Sequence, residues 1–194
     1  MTISIRPATP ADAPAIAAIY GGWVQDGYAT FETTPPDAVE FERRMLSAPR
    51  LPWLLASEEA NTEAETAVTG SDSTRLGFAY AARHRERAAY RWSADVSVYL
   101  ATDARGGGVG RALYAELLPA VASLGYVSVF AGIALPNPAS VRLHESMDFE
   151  PVGVYRDVGF KLGAWRDVGW WQRRLQDPPP ADPAEPQEWT GSTP

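Results

Sequence analysis

The pattern of apolar and polar residues at the start of the chain predicts a strand followed by two helices. Residues 2–6 alternate as in a strand, and the segment 9–12 gives a start signal for an apolar-periodic helix over residues 13–23. Asp37 can cap a second amphipathic helix. The expected order of elements is therefore β, α, α.

Two further apolar runs, residues 53–56 and 76–80, are expected to pair as strands. The segment between them, residues 57–75, is too polar and too long for a tight hairpin. We expect this segment to be a flexible insertion.

The second half of the chain alternates between strand and helix patterns. The expected elements are a strand over 96–101, a helix from about Gly108, a strand over 126–134, a short helix after Asn137 and strands near 149–154 and 167–173. Pro119 should kink or break the helical run 113–124, because an interior proline costs about 3 kcal/mol or more. The layout indicates the α/β class, with a central mixed sheet flanked by helices.

The composition fits one domain in a chain of 194 residues with no cysteine and a net charge of −7. The Pro-rich residues 176–194 should form a disordered tail, which leaves a domain over 1–175. Without a membrane span or leader pattern, we expect a cytoplasmic protein without membrane contact. The acidic balance argues against nucleic acid and for a small-molecule substrate. The lack of cysteine excludes disulfides, thiolate metal sites and a cysteinyl acyl-enzyme, and no metal is predicted.

Residues 105–110, Arg-Gly-Gly-Gly-Val-Gly, join an expected strand to an expected helix. Glycines at such a junction let backbone N–H groups face a ligand, and the helix N-terminus adds positive charge, which suits a phosphate or pyrophosphate. A nucleoside-triphosphate loop would need a lysine that is absent here, and a dinucleotide loop would need a glycine where Leu113 stands. An ordinary glycine-rich turn remains an alternative.

This RxxGxG pattern behind a Val-x-Val strand resembles the pyrophosphate-binding signature of the GNAT acetyltransferases, whose ligand is acetyl-CoA. Within that superfamily, four segments resemble the phosphinothricin N-acetyltransferases, which include methionine sulfoximine and methionine sulfone acetyltransferases: residues 29–33, 97–99, 135–145 and 159–172. The resemblance covers residues 3–175. It implies the GNAT acyl-CoA N-acyltransferase fold and a homodimer.

The resemblance also implies an acetyl-CoA site built from three parts of the chain. The pantetheine arm would pair with the backbone of Val98, Tyr99 and Leu100. The pyrophosphate would receive N–H groups from Gly106, Gly107, Gly108, Val109, Gly110 and Arg111, with charge added by Arg105 and Arg111. Asn137 would cap its helix and contact acetyl-CoA.

Direct acetyl transfer needs a neutral amine, so a base must take a proton from the substrate ammonium. Where the family has a glutamate, two residues before its Ser/Thr-Val-Tyr strand, this chain has the shorter Asp95, which would act directly or through a water. His144 stands where the phosphinothricin branch has a histidine, and it would protonate the leaving thiolate or relay the amine proton. A solvated carboxylate and a packed helical histidine are the alternatives.

The amino-acid site implied by the resemblance is more scattered. Arg85, Arg87 and Tyr90 would bind oxyanion groups of the substrate, although this cationic segment also fits a solvated loop, and the family often has an aromatic residue near His84. Phe31 would pack on the aliphatic chain of the substrate, or belong to the core. The other expected substrate contacts are Asp95, Val96, Ser97, Phe160 and Lys161; the last two, with Val158, would reach the partner's pocket in a homodimer.

These expectations combine into one predicted activity. The chain should be an acetyl-CoA-dependent N-acetyltransferase acting on the α-amino group of a small amino acid such as phosphinothricin, methionine sulfoximine or methionine sulfone. A GNAT enzyme for another amine, such as another amino acid, a polyamine or a protein N-terminus, is one alternative. A non-catalytic acyl-CoA-binding sensor is the other.

Overall fold

The computed structural model describes residues 2–58 and 74–191, which contain seven strands and four α-helices. The strands are β1 (Ile3–Pro7), β2 (Trp53–Glu58), β3 (Arg75–Arg83), β4 (Ser93–Leu100), β5 (Ser128–Ala134), β6 (Glu150–Lys161) and β7 (Ala164–Arg174). The helices are α1 (Ala13–Asp26), α2 (Ala38–Leu46), α3 (Val109–Ser123) and α4 (Pro138–Glu145). The predicted insertion over 57–75 lies outside the described residues, apart from its ends, which belong to β2 and β3 and the residue before β3.

All seven strands belong to one sheet, in the order β1-β2-β3-β4-β5-β7-β6. Every neighbouring pair is antiparallel except β4 and β5, which are parallel. That parallel ladder begins at the Ser93–Ser128 pair and ends where Asp95 meets Phe130. Both strands continue beyond this pair without further pairing to each other, so the sheet is split along this line. The mixed sheet flanked by helices confirms the predicted fold class.

Helices cover both faces of the sheet. On one face α3 buries Val109 and Leu113 completely, next to Val96 of β4. On the other face α1 and α2 form a second core, in which Ile16 packs near Phe78 of β3. Successive strand residues point to opposite faces, so the central strands contribute to both cores. Within the described ranges, no helix is long and apolar enough to cross a bilayer.

The predicted cap of the second helix is confirmed. The Asp37 carboxylate accepts a hydrogen bond from the backbone N–H of Glu40 at 2.9 Å. The start of α1 is held differently, because Asp12 accepts bonds from the Thr9 backbone and hydroxyl and pairs with both terminal nitrogens of Arg6. These bonds lower the pKa of Asp12 to about 2. The first strand and the first helix are thereby tied together.

Pro119 does not break its helix, so the first of the two predicted outcomes, a kink or a break, is the one that stays open. α3 runs from Val109 to Ser123 through the proline. Residues on both sides of it are buried against the sheet, with Leu117 and Val121 completely inaccessible. Since burying a large apolar side chain contributes about 1.5–3 kcal/mol, several such residues offset the cost of one interior proline.

The last two strands are much longer than the sequence pattern predicted. β6 and β7 form a hairpin that extends to Lys161 and Ala164, whereas strands were expected only near 149–154 and 167–173. Nearly every β6 residue is exposed, so this strand carries no alternation between a buried and a solvated face. The hairpin therefore projects from the sheet with apolar side chains uncovered.

The C-terminal segment also departs from the prediction, which expected a disordered tail over 176–194. The described part of it packs on the domain: Trp189 is 7% exposed and donates its backbone N–H to the Arg50 carbonyl at 2.9 Å. Gln187 bonds to the Leu124 carbonyl at 2.8 Å. The prediction rested on the low average apolar content of the segment, which does not reveal one buried tryptophan. Burial of this indole can offset the entropy cost of ordering a Pro-rich chain that is already restricted.

Candidate active site

The split between β4 and β5 holds a cavity of about 450 Å³. Its long walls are residues 96–100 of β4 and 131–134 of β5, which begin directly after the last paired residues of the ladder. Unpaired strand edges leave backbone N–H and C=O groups available to a ligand. The cavity includes Val98, Tyr99 and Leu100, as well as Val96 and Ser97, all of which the sequence placed in the binding site.

The glycine loop forms one end of this cavity. Gly106 and Gly108 have φ angles of 78° and 82°, which glycine adopts at little cost, and Gly108 is the N-cap of α3. The first N–H groups of α3 have no partner within the helix, and they lie where the helix dipole is positive. Gly106, Gly108 and Gly110 line the cavity together with Arg105 and Arg111. Gly107 and Val109 do not, and the Val109 side chain is buried in the core.

Each loop arginine is held by a further contact. The Arg105 guanidinium lies 4.0 Å from the centre of the Trp23 ring, and Arg111 donates to the Ser146 carbonyl at 3.1 Å. Trp23 in turn donates its indole N–H to the Leu100 carbonyl at 3.0 Å. The sequence interpretation missed Trp23, because helical periodicity made it an ordinary residue of α1. Its contacts occupy one carbonyl of β4 and position a cation at the cavity.

Asn137 begins α4 on the opposite side of the cavity. Its side chain accepts a hydrogen bond from the Ser140 N–H at 3.1 Å, which confirms the predicted cap. Asn137 also lines the cavity. The capping bond leaves the amide N–H₂ of Asn137 available to a ligand.

A second cavity of about 310 Å³ adjoins the first. It shares Ala29, Gly132 and Ala134 with the first cavity and is otherwise lined by apolar and aromatic residues: Phe31, Tyr155, Val158, Val168 and Trp170. The sequence named Phe31 for this role, whereas Trp170 entered only as a member of the resembling segment 159–172. Trp170 and Arg166 are the described residues whose buried side-chain nitrogens have no hydrogen-bond partner.

Asp95 lies at the point where the two strands separate. Its side chain is 30% exposed, and its Oδ1 is 2.6 Å from Nδ1 of His84, in the loop after β3. Burial raises the pKa of the Asp95 carboxyl, against the opposing effect of the bond to His84. A carboxylate that is partly desolvated beside a cleft suits proton transfer.

His144 lies inside the protein, with 3% of its surface exposed. Nδ1 bonds to the Ser140 carbonyl at 2.8 Å, so this nitrogen carries the proton. Nε2 then accepts the hydroxyl proton of Tyr114 at 3.0 Å. Burial lowers the pKa of His144, which favours the neutral ring. Both nitrogens are thus engaged within the protein, although His144 and Tyr114 each line the first cavity. The role of His144 as the acid that protonates the thiolate stays a prediction. Its hydrogen bonds favour the alternative, a histidine packed in the protein interior.

The predicted substrate residues of the 80–90 segment separate into two groups. The Arg85 guanidinium lies 5.5 Å from the centre of the Trp170 ring, and the Tyr90 ring is 6.0 Å from the His84 ring. Both therefore lie beside residues of the site. Arg87 is instead the N-cap residue of a short 3₁₀ turn. None of the three lines either cavity.

Phe160 and Lys161, which were expected to reach a partner's substrate pocket, make different contacts within their own protomer. Their reach into a partner's pocket stays a prediction. Lys161 is buried and donates to the Thr30 carbonyl at 2.8 Å, and burial lowers its pKa. Phe160 is 58% exposed and packs against Trp165 at 5.3 Å. Neither lines a cavity of this chain. Lys161 instead ties the hairpin to the loop that carries Phe31.

Comparison with known proteins agrees with this geometry. The family described as acetyltransferase (GNAT) domain matches residues 2–150. The chain belongs to the GNAT acetyltransferases. Among curated GNAT relatives, the phosphinothricin N-acetyltransferase of Streptomyces viridochromogenes is 36% identical over 187 residues, which cover 95% of this chain and 94% of the relative. The L-methionine sulfoximine/L-methionine sulfone acetyltransferase of Pseudomonas paraeruginosa is 32% identical, with 90% and 96% covered.

A solved GNAT structure shows the same relationship in three dimensions. A phosphinothricin acetyltransferase from Sinorhizobium meliloti, in complex with AcCoA, superposes with a TM-score of 0.84 at 33% identity. The match covers all of this chain and 98% of that one. The predicted family, the predicted fold and the assignment as an acyltransferase enzyme are thereby confirmed.

Proposed function

We propose that this GNAT enzyme transfers acetyl from acetyl-CoA to the α-amino group of a small, oxyanion-bearing amino acid such as phosphinothricin, methionine sulfoximine or methionine sulfone. The observation that carries the proposal is the continuity of two cavities, which share Gly132 and two alanines. A thioester in the first cavity and an amino acid in the second meet at this shared wall. Curated relatives are named as phosphinothricin and as methionine sulfoximine/methionine sulfone acetyltransferases, which supports the same class of amino-acid substrate.

The first cavity suits acetyl-CoA along its whole length. The exposed N–H groups at the start of α3, with Arg105 and Arg111, suit a pyrophosphate. The unpaired edges of β4 and β5 suit the amides of a pantetheine arm, because amides form ladder-like bonds with a free strand. Asn137 adds a side-chain amide on the far side.

The second cavity suits the acceptor amino acid. Phe31 and Val158 offer an apolar wall to the aliphatic part of the substrate. The unpaired indole N–H of Trp170 and the nearby guanidinium of Arg85 are donors for substrate oxygens. This mixture of apolar walls and a few donors is typical of a small-molecule site.

Asp95 takes part in removing the proton from the ammonium group of the acceptor amino acid. The nitrogen must lose a proton before it attacks the thioester carbonyl, since an ammonium has no lone pair. Attack then forms the N–C bond, the C–S bond breaks, and the thiolate takes up a proton as the new amide nitrogen loses its second one. We take the transfer to be direct in a ternary complex; the lack of cysteine excludes a cysteinyl acetyl-enzyme.

Thiol release from acetyl-CoA tests the proposal. The wild type should release CoA with at least one of the three named amino acids, and Asp95→Ala should abolish this, whereas the exposed control Asp177→Asn should not. Initial velocities should give intersecting reciprocal plots, since parallel plots would indicate a covalent acetyl-enzyme. Silence with all three amino acids would refute the substrate class and direct the search to a wider amine panel.

We further propose that the enzyme works as a homodimer joined through the β6–β7 hairpin. The hairpin exposes a group of large apolar side chains, each 46–62% accessible: Val152, Val154, Tyr155, Val158, Phe160, Leu162 and Trp165. A group of exposed apolar side chains of this size is typical of a protein interface. The second cavity lies beside it, so a partner copy would border the acceptor site.

A further inference from the structure

His84 and Asp95 form a side-chain pair at the apex of the split sheet. The two residues face each other across the end of the β3–β4 ladder, where Asp95 pairs with Ala82. Their closest atoms, His84 Nδ1 and Asp95 Oδ1, are 2.6 Å apart. Both side chains are largely shielded from water, at 11% and 30% exposure. The contact is therefore built into the fold rather than made by two mobile surface groups.

The chemistry of the contact defines the tautomer of the ring. An ionised carboxylate only accepts hydrogen bonds, so Nδ1 of His84 must carry a proton. In the neutral ring Nε2 then holds the lone pair. A carboxylate on Nδ1 also stabilises the imidazolium that forms when Nε2 takes up a proton. The arrangement is that of a histidine base with a carboxylate partner.

The surroundings hold the ring in place beside the acceptor cavity. It stacks on Phe130 at 4.4 Å and meets the edge of Trp170 at 6.2 Å. Phe130 directly precedes the β5 residues of the first cavity, and Trp170 lines the second. Among the described residues, the titratable groups that face the pair include Arg85, which bonds to the His84 carbonyl, Tyr90, and Tyr80, which interacts electrostatically with Asp95.

We propose that His84 is the proton acceptor for the substrate amine and that Asp95 is its positioning residue. The assignment rests on the proposed function and deepens it. It explains how an aspartate can stand where the family has the longer glutamate, because the His84 imidazole reaches beyond the Asp95 carboxylate. Proton transfer to Nε2 occurs directly or through one water.

The step balances as follows in protons and bonds. The ammonium gives one proton to His84 Nε2, which becomes an imidazolium paired with Asp95. The neutral nitrogen forms the N–C bond to the acetyl carbon, and the C–S bond breaks to leave a thiolate. The new amide nitrogen loses its second proton as the thiolate gains one, and His84 returns its proton to solvent.

Nitrogen NMR of histidine-labelled protein tests the pairing without any substrate. The chain has two histidines, so His84→Phe identifies the His84 signals by their loss. The wild type should show a protonated Nδ1 and an unprotonated Nε2, and Asp95→Ala should convert His84 to a mixture of tautomers. An unprotonated Nδ1, or His84 signals that Asp95→Ala leaves unchanged, would overturn the pairing.

Kinetics test the catalytic role separately. His84→Ala should lower kcat/KM for the amino acid by about 10²–10⁴-fold, the usual contribution of a general base, with acetyl-CoA affinity unchanged. Added imidazole should restore part of this activity in His84→Ala, but not in His84→Phe, where the ring fills the space. Asp95→Asn should reduce kcat with little change in KM. Asp177→Asn is the matched carboxylate-to-amide control.

The outcomes distinguish the proposed substrate class from the proposed role of His84. A His84→Phe enzyme with nearly wild-type activity, alongside an inactive Asp95→Asn enzyme, would make Asp95 the base and overturn the role of His84. A wild type that is silent on the three amino acids counts against the proposed substrate alone. The variants are then compared with the amine that the wider panel identifies, so the role of His84 is still decided.

Discussion

Phe31 lies directly over Gly159. A Cβ atom on Gly159 would overlap the edge of the Phe31 ring, because the bare backbone of β6 is what allows the ring to lie there. Phe31 is 37% exposed and forms part of the second cavity. The hairpin thus determines the position of a side chain that belongs to a loop more than a hundred residues earlier in the sequence.

Gly159→Ala should therefore displace Phe31 and weaken acceptor binding. Losing contact with about two methylene groups of the substrate corresponds to roughly a tenfold rise in KM for the amino acid. The affinity for acetyl-CoA, measured by calorimetry, should not change. Gly153→Ala on the same strand is the matched control, since its Cβ would meet no atom within 4 Å. Equal effects of the two substitutions would contradict this explanation.

Gly108→Ala should cost stability and cofactor affinity together. Its φ of 82° is left-handed, which costs a residue with a Cβ about 1–2 kcal/mol. Relaxation of that strain would also turn the first N–H groups of α3 away from the pyrophosphate site. Gly22→Ala, on the exposed side of α1, should instead stabilise the protein by about 0.5–1 kcal/mol. Urea unfolding of both variants checks the opposite signs.

His144 should make stability depend on pH in a defined direction. Its pKa is lowered in the folded protein, so the unfolded chain binds the proton more readily, and stability is lost as the pH falls below the ordinary value of 6.5. His144→Phe should lack this loss. Unfolding midpoints of both proteins on either side of pH 6.5 test the sign. A wild type with the same pH dependence as the variant would contradict it.

The same variant distinguishes the two roles of His144. If it protonates the leaving thiolate, kcat should fall by at least about 100-fold, as for other general acids. Its bonds to Ser140 and Tyr114 lead us to expect a smaller fall. Retained kcat at unchanged acetyl-CoA affinity would identify His144 as a packing residue between α3 and α4.

Trp165→Ser combined with Phe160→Ser should convert the enzyme to a monomer. These two rings meet edge to face and are among the most exposed apolar groups of the hairpin, at 62% and 58%. Sedimentation should show a dimer for the wild type and a monomer for the double variant, with lower activity per chain. A monomeric wild type with full activity would refute the dimer.

The sequence predicted the elements whose periodicity reflects burial. α2 was expected from its apolar spacing and its Asp37 cap, and it lies where expected. β6 was underestimated because its side chains are exposed along most of its length, and so the alternation on which such predictions depend is missing. The break that Pro119 could have caused in α3 does not occur, because a local propensity cannot account for packing on a distant sheet.

In the site, too, the features set by consecutive residues could be predicted, and those set by residues distant in the sequence could not. The glycine loop could be located from sequence, since its conformation and its ligand both depend on consecutive residues. The pairing of His84 with Asp95 could not, because it depends on how β3 and β4 align in the sheet. Trp23 was missed for a similar reason, because its partners, Arg105 and Leu100, lie far from it in the sequence.

The packed C-terminal segment has a consequence for where this protein can be shortened. The family match ends at residue 150 and the predicted domain at 175, yet Trp189 fills a place in the main core. Ala184 and Glu185 also bind Trp92 and Arg91, just before β4. A chain cut after β7 would leave an indole-sized vacancy in the core and free the start of the strand that carries Asp95. We therefore expect the smallest autonomous folding unit to extend at least to Trp189, beyond both boundaries.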